Sequence, residues 1–171
     1  MDLDGKVVLI TGAAGTGKST VVRSLMATVQ PFRRIDYGQL LLDHKAQHLG
    51  RRMTYEELRR DSAAVITPAD VFAVDEWVIG QIPKWRRESN ILIDSHPVTK
   101  ESFGFRVTPY SASQIARIAF DVVIVLVGDP SKLAQRIEGD PQGRPAVTEF
   151  QAGFQVQLQA VSLDLREVED V

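Results

Sequence analysis

The chain has 171 residues, of which 44% are hydrophobic and 25% charged, and its net charge is -2 at pH 7. These values fit one globular domain that can bury its own core, and they argue against a basic nucleic-acid-binding surface. The chain has no cysteine, which excludes disulfides, thiolate metal sites and thiol nucleophiles. The longest apolar run, residues 122–127, is far too short for a membrane span. We therefore expect a single cytoplasmic domain over residues 1–171, with no membrane partner.

Apolar runs alternate with helical patterns in the first half of the chain, which is typical of βα units with a parallel sheet. Strands are predicted at residues 7–11 and 33–36, and helices at residues 19–29, 39–49 and 55–66. Thr67 and Pro68 then supply an N-cap and a first helical residue. The sequence does not fix the residue at which that helix ends, because Gly80 and Pro83 interrupt its pattern.

The second half continues the same alternation. Strands are predicted at residues 91–94 and 122–127, separated by a loop over residues 95–109 that holds two prolines and a glycine. Ser111 with Gln114, and Thr148 with Gln151, resemble capping boxes that begin two helices. The result is an α/β fold with a mostly parallel sheet of four or five strands and helices on both faces.

Residues 12–19 match the pattern G-x-x-x-x-G-K-[ST] at every fixed position, between a predicted strand and a predicted helix. Glycines let backbone N–H groups converge on phosphate oxygens, and the helix N-terminus adds positive potential. Lys18 can reach the β and γ phosphates, and the Ser19 hydroxyl can ligate Mg²⁺. The pattern therefore predicts that the chain binds ATP with Mg²⁺. The predicted ATP-binding residues are Gly12, Ala13, Ala14, Gly15, Thr16, Gly17, Lys18, Ser19 and Thr20.

Asp94 ends the predicted strand 91–94, where a P-loop protein carries a carboxylate that organises Mg²⁺. We therefore predict Ser19 and Asp94 as the metal residues. Ser95 and His96 follow Asp94 in place of a glutamate that would orient water, which favours a transferase. Asp129 is a rival carboxylate, but Asp-Pro before a helix favours an N-cap.

Four segments carry a family resemblance: the P-loop, residues 35–40 (I-D-Y-G-Q-L), residues 93–96 (I-D-S-H) and residues 133–144. With them the chain resembles an adenylate kinase or a related nucleoside monophosphate kinase, and is most similar to the archaeal type. The resemblance implies a P-loop three-layer fold, acceptor-binding helices within residues 37–66 and a lid over residues 137–147. It also implies that homo-oligomers can form.

The resemblance further implies transfer of the γ phosphate from Mg-ATP to a nucleoside monophosphate, with AMP as the favoured acceptor. Its catalytic residues would be Lys18, Arg136 and Arg144. The acceptor would contact Asp36, Tyr37, Gly38, Arg59, His96 and Arg106. Arg60 is an alternative to Arg59 as the clamp on the acceptor phosphate.

The chain also departs from that family. Its lid segment 138–145 holds one arginine, and its acceptor region has no unambiguous clamp for the acceptor phosphate. Family members continue into a final strand and a loop that contacts adenine, so the preference for ATP over GTP stays open. Two alternatives follow: a P-loop kinase of a non-nucleotide small molecule, and a partner-dependent ATPase or nucleotide switch. His44 and His48 have a metal-capable i, i+4 spacing, but no third ligand is evident.

Overall fold

The computed structural model describes residues 5–28, 32–49, 54, 65–101, 103–139 and 146–161. Its strands are β1 (Val7–Gly12), β2 (Phe32–Asp36), β3 (Asn90–Asp94), β4 (Val98–Glu101), β5 (Gly104–Val107) and β6 (Val122–Leu126). Its helices are α1 (Lys18–Thr28), α2 (Tyr37–Leu49), α3 (Pro68–Arg86), α4 (Ala112–Ile118), α5 (Pro130–Glu138) and α6 (Glu149–Val161).

Four strands form a parallel sheet in the order β2-β3-β1-β6. In this register Asp36 lies beside Asp94, and Ile10 lies on the other side of Asp94. Because the carboxyl ends of parallel strands meet at one edge of a sheet, the P-loop, Asp94 and Asp36 lie along the same edge. The prediction of a mostly parallel P-loop sheet is confirmed.

The core lies on both faces of this sheet, because every buried strand of a parallel sheet needs cover on two sides. On one face, Leu9 and Ile93 pack against Val78 and Ile82 of α3. The other face of the sheet packs against α1. The result is the three-layer arrangement expected from the sequence.

The predicted loop over residues 95–109 is wrong in part, because it contains the antiparallel hairpin β4–β5. Each strand has only four residues, and they include Lys100, Glu101 and Arg106. Such short polar strands give no apolar alternation. Pro97 and Pro109 lie just outside the hairpin, so they mark its ends instead of excluding strands.

Helix α3 begins as predicted, since Thr67 and Asp70 form a capping box. It then runs through Pro83 to Arg86. Proline removes a backbone donor within the helix. Trp85, two residues after Pro83, is only 7% exposed. The apolar surface that it buries favours continuing the helix past the proline.

The remaining predicted helix starts are present. Gln114 and Ser111 bond reciprocally at the start of α4, and Thr148 and Gln151 do so before α6. The predicted helix 55–66 lies outside the described residues except at its last two positions. None of the helices that the structure describes is long and apolar enough to cross a membrane.

Candidate active site

The phosphate loop joins β1 to α1 and depends on glycine for its path. A Cβ on Gly12 would lie 2.6 Å from the carbonyl oxygen of Leu126, and Gly17 has φ +88°. Lys18 is 7% exposed, and its Nζ donates to the Gly12 carbonyl at 3.2 Å. The ammonium group is thus folded back over the loop, in reach of whatever anion the loop holds. Ser19 and Thr20, in the first turn of α1, are exposed.

Asp94 lies beside this loop with its two carboxylate oxygens in different environments. Its Oδ2 accepts from the Arg34 guanidinium at 2.7 Å. Its Oδ1 is buried and has no hydrogen-bond partner among the described residues. A buried carboxylate oxygen without a donor is costly, so a cation or a cation-bound water would satisfy it.

The donor set at this point fits Mg²⁺, which prefers oxygen ligands and completes its shell with water and substrate phosphates. Asp94 and the Ser19 hydroxyl are the groups that would hold the ion. Among the described residues, no group of three or more His, Cys, Asp or Glu side chains is arranged to hold a metal ion by itself. A site for Mg²⁺ alone, without phosphates, is therefore not apparent in this part of the chain.

Arg136 approaches the loop from α5. Its guanidinium donates to the Gly15 carbonyl at 3.1 Å, although the side chain is exposed. The residue is therefore at the outer rim of the phosphate loop. Arg144 and Arg59 lie outside the described residues, as do positions 140–145 of the predicted lid.

A single cavity of about 690 Å³ connects the phosphate loop to the ends of β2 and β3. It brings together most of the predicted site residues that the structure describes. These are Ala13, Ala14, Gly15, Thr16, Gly17, Lys18, Ser19, Thr20, Asp36, Tyr37, Gly38, Asp94, His96, Arg106 and Arg136. Gly12 forms the turn behind them.

Arg106 lines this cavity from β5, in the hairpin that the sequence did not predict. Arg106 on β5 pairs with Glu101 of β4 at 3.2 Å and donates to the Ile66 carbonyl at 2.8 Å. Its guanidinium is thereby held in one orientation. His96 is exposed at the same cavity.

Three cavity residues carry chemistry that the sequence did not reveal: Arg34, Asp75 and Tyr110. Arg34 lies on β2 and also pairs with Asp36 at 3.0 Å. Asp75 is 8% exposed, and its burial raises the pKa of its carboxyl to about 6. An acid placed between the apolar positions Val74 and Val78 of α3 was the one sequence signal for Asp75.

Two other predictions concern structural roles. Asp129 accepts from the Lys132 amide at 3.1 Å and caps α5, as predicted. His44 lies 3.3 Å from Asp70, and the rings of His44 and His48 are 4.3 Å apart. His44 therefore faces α3, whereas His48 is exposed on α2 and contacts His44.

Comparison with known proteins places these features in a family. A family model described as "AAA domain" matches residues 11–150. The adenylate kinase of Pyrococcus furiosus is 28% identical over 148 residues, which are 85% of this chain and 71% of that protein. The resemblance to archaeal adenylate kinases is thereby confirmed.

Solved structures share the fold at low sequence identity. A chain of the Pnkp1/Rnl/Hen1 RNA repair complex has a TM-score of 0.57 and 16% identity, over 95% of this chain and 46% of that one. This chain therefore spans less than half of that protein. The thymidylate kinase of Candida albicans has a TM-score of 0.55 and 15% identity, over 96% and 80% of the two chains.

The fold, the phosphate loop and the matched residues agree with one another. The family match runs from the last residues of β1 to the start of α6, and so it includes the loop, Asp94 and Arg136. The chain therefore belongs to the AAA domain family.

Proposed function

We propose that this chain transfers the γ phosphate of Mg-ATP to a nucleoside monophosphate, with AMP as the favoured acceptor. The broader class follows from the family and the archaeal relatives: the chain is an ATP-dependent phosphotransferase of the P-loop type. The observation that carries the proposal is the shared cavity, which joins the phosphate loop to Asp36, Tyr37 and Gly38. Both substrates can therefore meet in one cavity.

The donor end supplies charge and fixed dipoles. Backbone N–H groups of the loop and the N-terminus of α1 favour the phosphates of ATP, and Lys18 adds a cation within the loop. A Mg²⁺ ion held by Ser19 and Asp94 would neutralise part of the negative charge of the phosphates. Phosphoryl transfer depends mostly on positioning and charge stabilisation, so these groups are the ones that the reaction requires.

The acceptor end lies across β3. The strand order puts β2 two strands away from β1, which is about 10 Å. An acceptor over β2 and β3 would therefore point its phosphate at a γ phosphate held over β1. Arg34 and Arg106 line the space between, and their planar guanidinium groups suit an anionic phosphate.

The segment over residues 137–147 is the proposed lid. Arg136, at its N-terminal side, contacts the phosphate loop, and Arg144 is the arginine within it. A lid that closes over the phosphates excludes water, which would otherwise take the phosphate from the acceptor.

A second candidate is a kinase of a non-nucleotide small molecule. Two features of the acceptor end favour it. Leu41, Val71 and Val98 supply apolar surface there. The two arginines, Arg34 and Arg106, already have acidic partners. A hydroxyl acceptor without a phosphate would need no additional cation there.

The test is an end-point assay with Mg-ATP and, separately, AMP, CMP, UMP, GMP, dTMP or no acceptor. With CMP, UMP, GMP or dTMP, a transfer gives a new diphosphate matched by equal ADP. With AMP, we expect two ADP for each ATP consumed and an equal loss of AMP, resolved by chromatography. Lys18→Ala should lower turnover by on the order of 10²-fold or more, because the cation at the phosphates is lost. Lys84→Ala, which changes an exposed lysine of α3, is the matched control.

Other outcomes separate the alternatives. ADP formed together with inorganic phosphate, while none of the monophosphates is consumed, would contradict the proposal and favour a partner-dependent ATPase. If no ADP forms although ATP raises the melting temperature, the acceptor is not a monophosphate, and the second candidate gains support.

A further inference from the structure

The acceptor end of the cavity contains a polar cluster that phosphate transfer does not use. It consists of Tyr37, Asp75, Tyr110 and Gln114, and we call it the acceptor cluster. The two tyrosine rings meet edge to face, with centroids 6.4 Å apart. Tyr37, Asp75 and Tyr110 line the cavity and are 6%, 8% and 9% exposed.

The geometry of this cluster is fixed by the start of α4. The side-chain oxygen of Gln114 accepts from the Ser111 amide at 2.9 Å in the capping box. The amide nitrogen of Gln114 is thereby directed away from the helix end, and it donates to Oδ2 of Asp75 at 3.2 Å. A local capping signal thus orients a carboxylate that lies 39 positions earlier in the chain.

Both tyrosine hydroxyls are buried beside polar neighbours. Tyr37 lies near Asp75 and Tyr110, and Tyr110 lies near Ser95, but neither hydroxyl forms a hydrogen bond of good geometry with a described residue. Burial, with the nearby Asp75 charge as a further cause, raises the pKa of Tyr110 to about 12, so the phenol stays protonated as a donor. Buried polar groups in proteins are nearly always well paired, so two hydroxyls held this loosely beside a buried acid leave room for a polar group of a ligand.

The chemistry of the cluster restricts what that group can be. Asp75 is an anion or a neutral acid, and none of the four side chains is a cation, so a phosphate is disfavoured. A carboxylate accepts hydrogen bonds, and a phenol can donate one. Leu41 and Val71 line the same end of the cavity, and flat apolar walls favour a planar ring.

We propose that the acceptor cluster is a base-recognition subsite, in which Asp75 accepts from an exocyclic amino group and one tyrosine hydroxyl donates to the adjoining ring nitrogen. The inference rests on the proposed function, since it names the part of a monophosphate acceptor that this end of the cavity takes. It predicts amino bases, such as adenine or cytosine, over their oxo counterparts. A 6-oxo oxygen would oppose the carboxylate, acceptor against acceptor.

The experiment uses acceptors that differ only at this position: AMP against IMP, and CMP against UMP. Steady-state kcat/KM is measured for each with saturating Mg-ATP. A site built to bond a donor rejects an analogue without it strongly, so wild type should prefer the amino member of a pair by about tenfold or more. Asp75→Asn should reduce that preference by about tenfold, because an amide can turn its NH₂ group to the oxo oxygen.

Glu76→Gln is the matched control. It makes the same carboxylate-to-amide change one residue along α3, but Glu76 pairs with the exposed Arg117 at 2.8 Å. Its preference should equal that of wild type. Tyr37→Phe and Tyr110→Phe remove one hydroxyl each, and both should raise KM for the amino acceptor while leaving KM for ATP unchanged. These two variants test the subsite even if Asp75→Asn does not fold.

Failure of the inference is distinguishable from failure of the function. If wild type phosphorylates monophosphates but does not distinguish AMP from IMP, or if Asp75→Asn keeps the wild-type preference, the subsite is wrong and the kinase stands. If wild type phosphorylates GMP or dTMP but none of these four acceptors, the subsite is wrong and the kinase stands; if it phosphorylates no monophosphate at all, the function and the inference are both overturned.

Discussion

Arg34 and Asp94 form an ion pair at 2.7 Å that joins β2 to β3 at the edge of the sheet where the cavity opens. The pair is asymmetric, because the Asp94 side chain is 7% exposed and that of Arg34 is 38% exposed. The carboxylate is thus held in place by a cation that faces the cavity. An arginine in this position can stabilise Asp94 and still present its outer N–H groups to an incoming phosphate.

The first prediction follows from that pair. Arg34→Gln should lower kcat/KM for the acceptor by on the order of 10-fold or more, because the cation facing its phosphate is lost. Arg33→Gln is the control on the same strand, since Arg33 pairs with the exposed Glu88. Acceptor titrations at fixed Mg-ATP measure both. Equal effects of the two substitutions would remove Arg34 from the acceptor site.

The second prediction concerns the rim of the phosphate loop. Arg136→Ala should lower kcat by about 10-fold or more if the guanidinium stabilises charge that develops during transfer. Arg23→Ala is a close control, because Arg23 is also exposed and also donates to a carbonyl of the loop region, Ser19 O, at 3.2 Å. Single-turnover rates with excess enzyme would separate chemistry from product release. A kcat within about twofold of wild type for Arg136→Ala would make it a surface residue.

The third prediction is a pH dependence of stability that comes from Asp75. Its folded pKa of about 6 is above the unfolded value of about 3.9, so the folded state binds the proton more tightly. Stability should therefore fall as pH rises from about 4 to about 6, and the deficit remains above that range. Asp75→Asn should be more stable than wild type at pH 8 by on the order of 1 kcal/mol, with little difference near pH 4.

Chemical denaturation of both proteins at pH 4 and pH 8 measures this difference. Glu76→Gln should show no such dependence. If Asp75→Asn gains stability and loses discrimination between acceptors, the Asp75 carboxylate is a functional group that lowers the stability of the fold. An Asp75→Asn protein that is less stable at pH 8 would mean that the buried charge has a structural role.

The fourth prediction has the opposite sign and concerns Asp70. Burial would raise the pKa of Asp70, but hydrogen bonds from Lys45 and Thr67 outweigh it and hold that pKa well below its ordinary value. Its contribution to stability is present above about pH 4 and is lost as pH falls further. Asp70→Asn should cost about 1 kcal/mol at pH 7, mainly because the ion pair with Lys45, at 2.6 Å, is lost.

Thermal unfolding followed by circular dichroism at pH 7 and pH 3 tests this expectation. The two proteins should differ at pH 7, and the difference should be smaller at pH 3, where part of the stabilisation by the Asp70 carboxylate is lost. Asp43→Asn, which changes an exposed acid on α2, is the control. A difference that grows on acidification would contradict the assignment.

Those parts of the site that depend on local sequence were predictable. The P-loop is one contiguous segment, and its glycines, Lys18 and Ser19 have fixed spacing. Asp94 was found because it ends an apolar strand. The predicted capping residues Thr67, Ser111 and Asp129 all occupy the N-cap positions of their helices, since a cap acts within one helical turn.

The parts that depend on contacts distant in sequence were not predictable. Arg34 meets Asp94 only because β2 and β3 are adjacent and in parallel register. Asp75 meets Tyr37 and Tyr110 through packing of three separate segments, and no spacing rule connects them. The hairpin that carries Arg106 was missed because its strands are too short for a periodic signal. The roles assigned to Arg59 and Arg144 remain predictions.

The strand order has a consequence for how this protein could change its substrate. The groups proposed to hold ATP come from the segment after β1 and from α5. The groups proposed to select the acceptor come from β2, the start of α2, α3, the hairpin and the segment before α4. The residues that bind the ATP phosphates and the residues that select the acceptor thus lie in different segments of the chain, and these segments meet at Asp94. Substitutions in one stretch can redirect the enzyme to a new acceptor while the other continues to deliver the same phosphate.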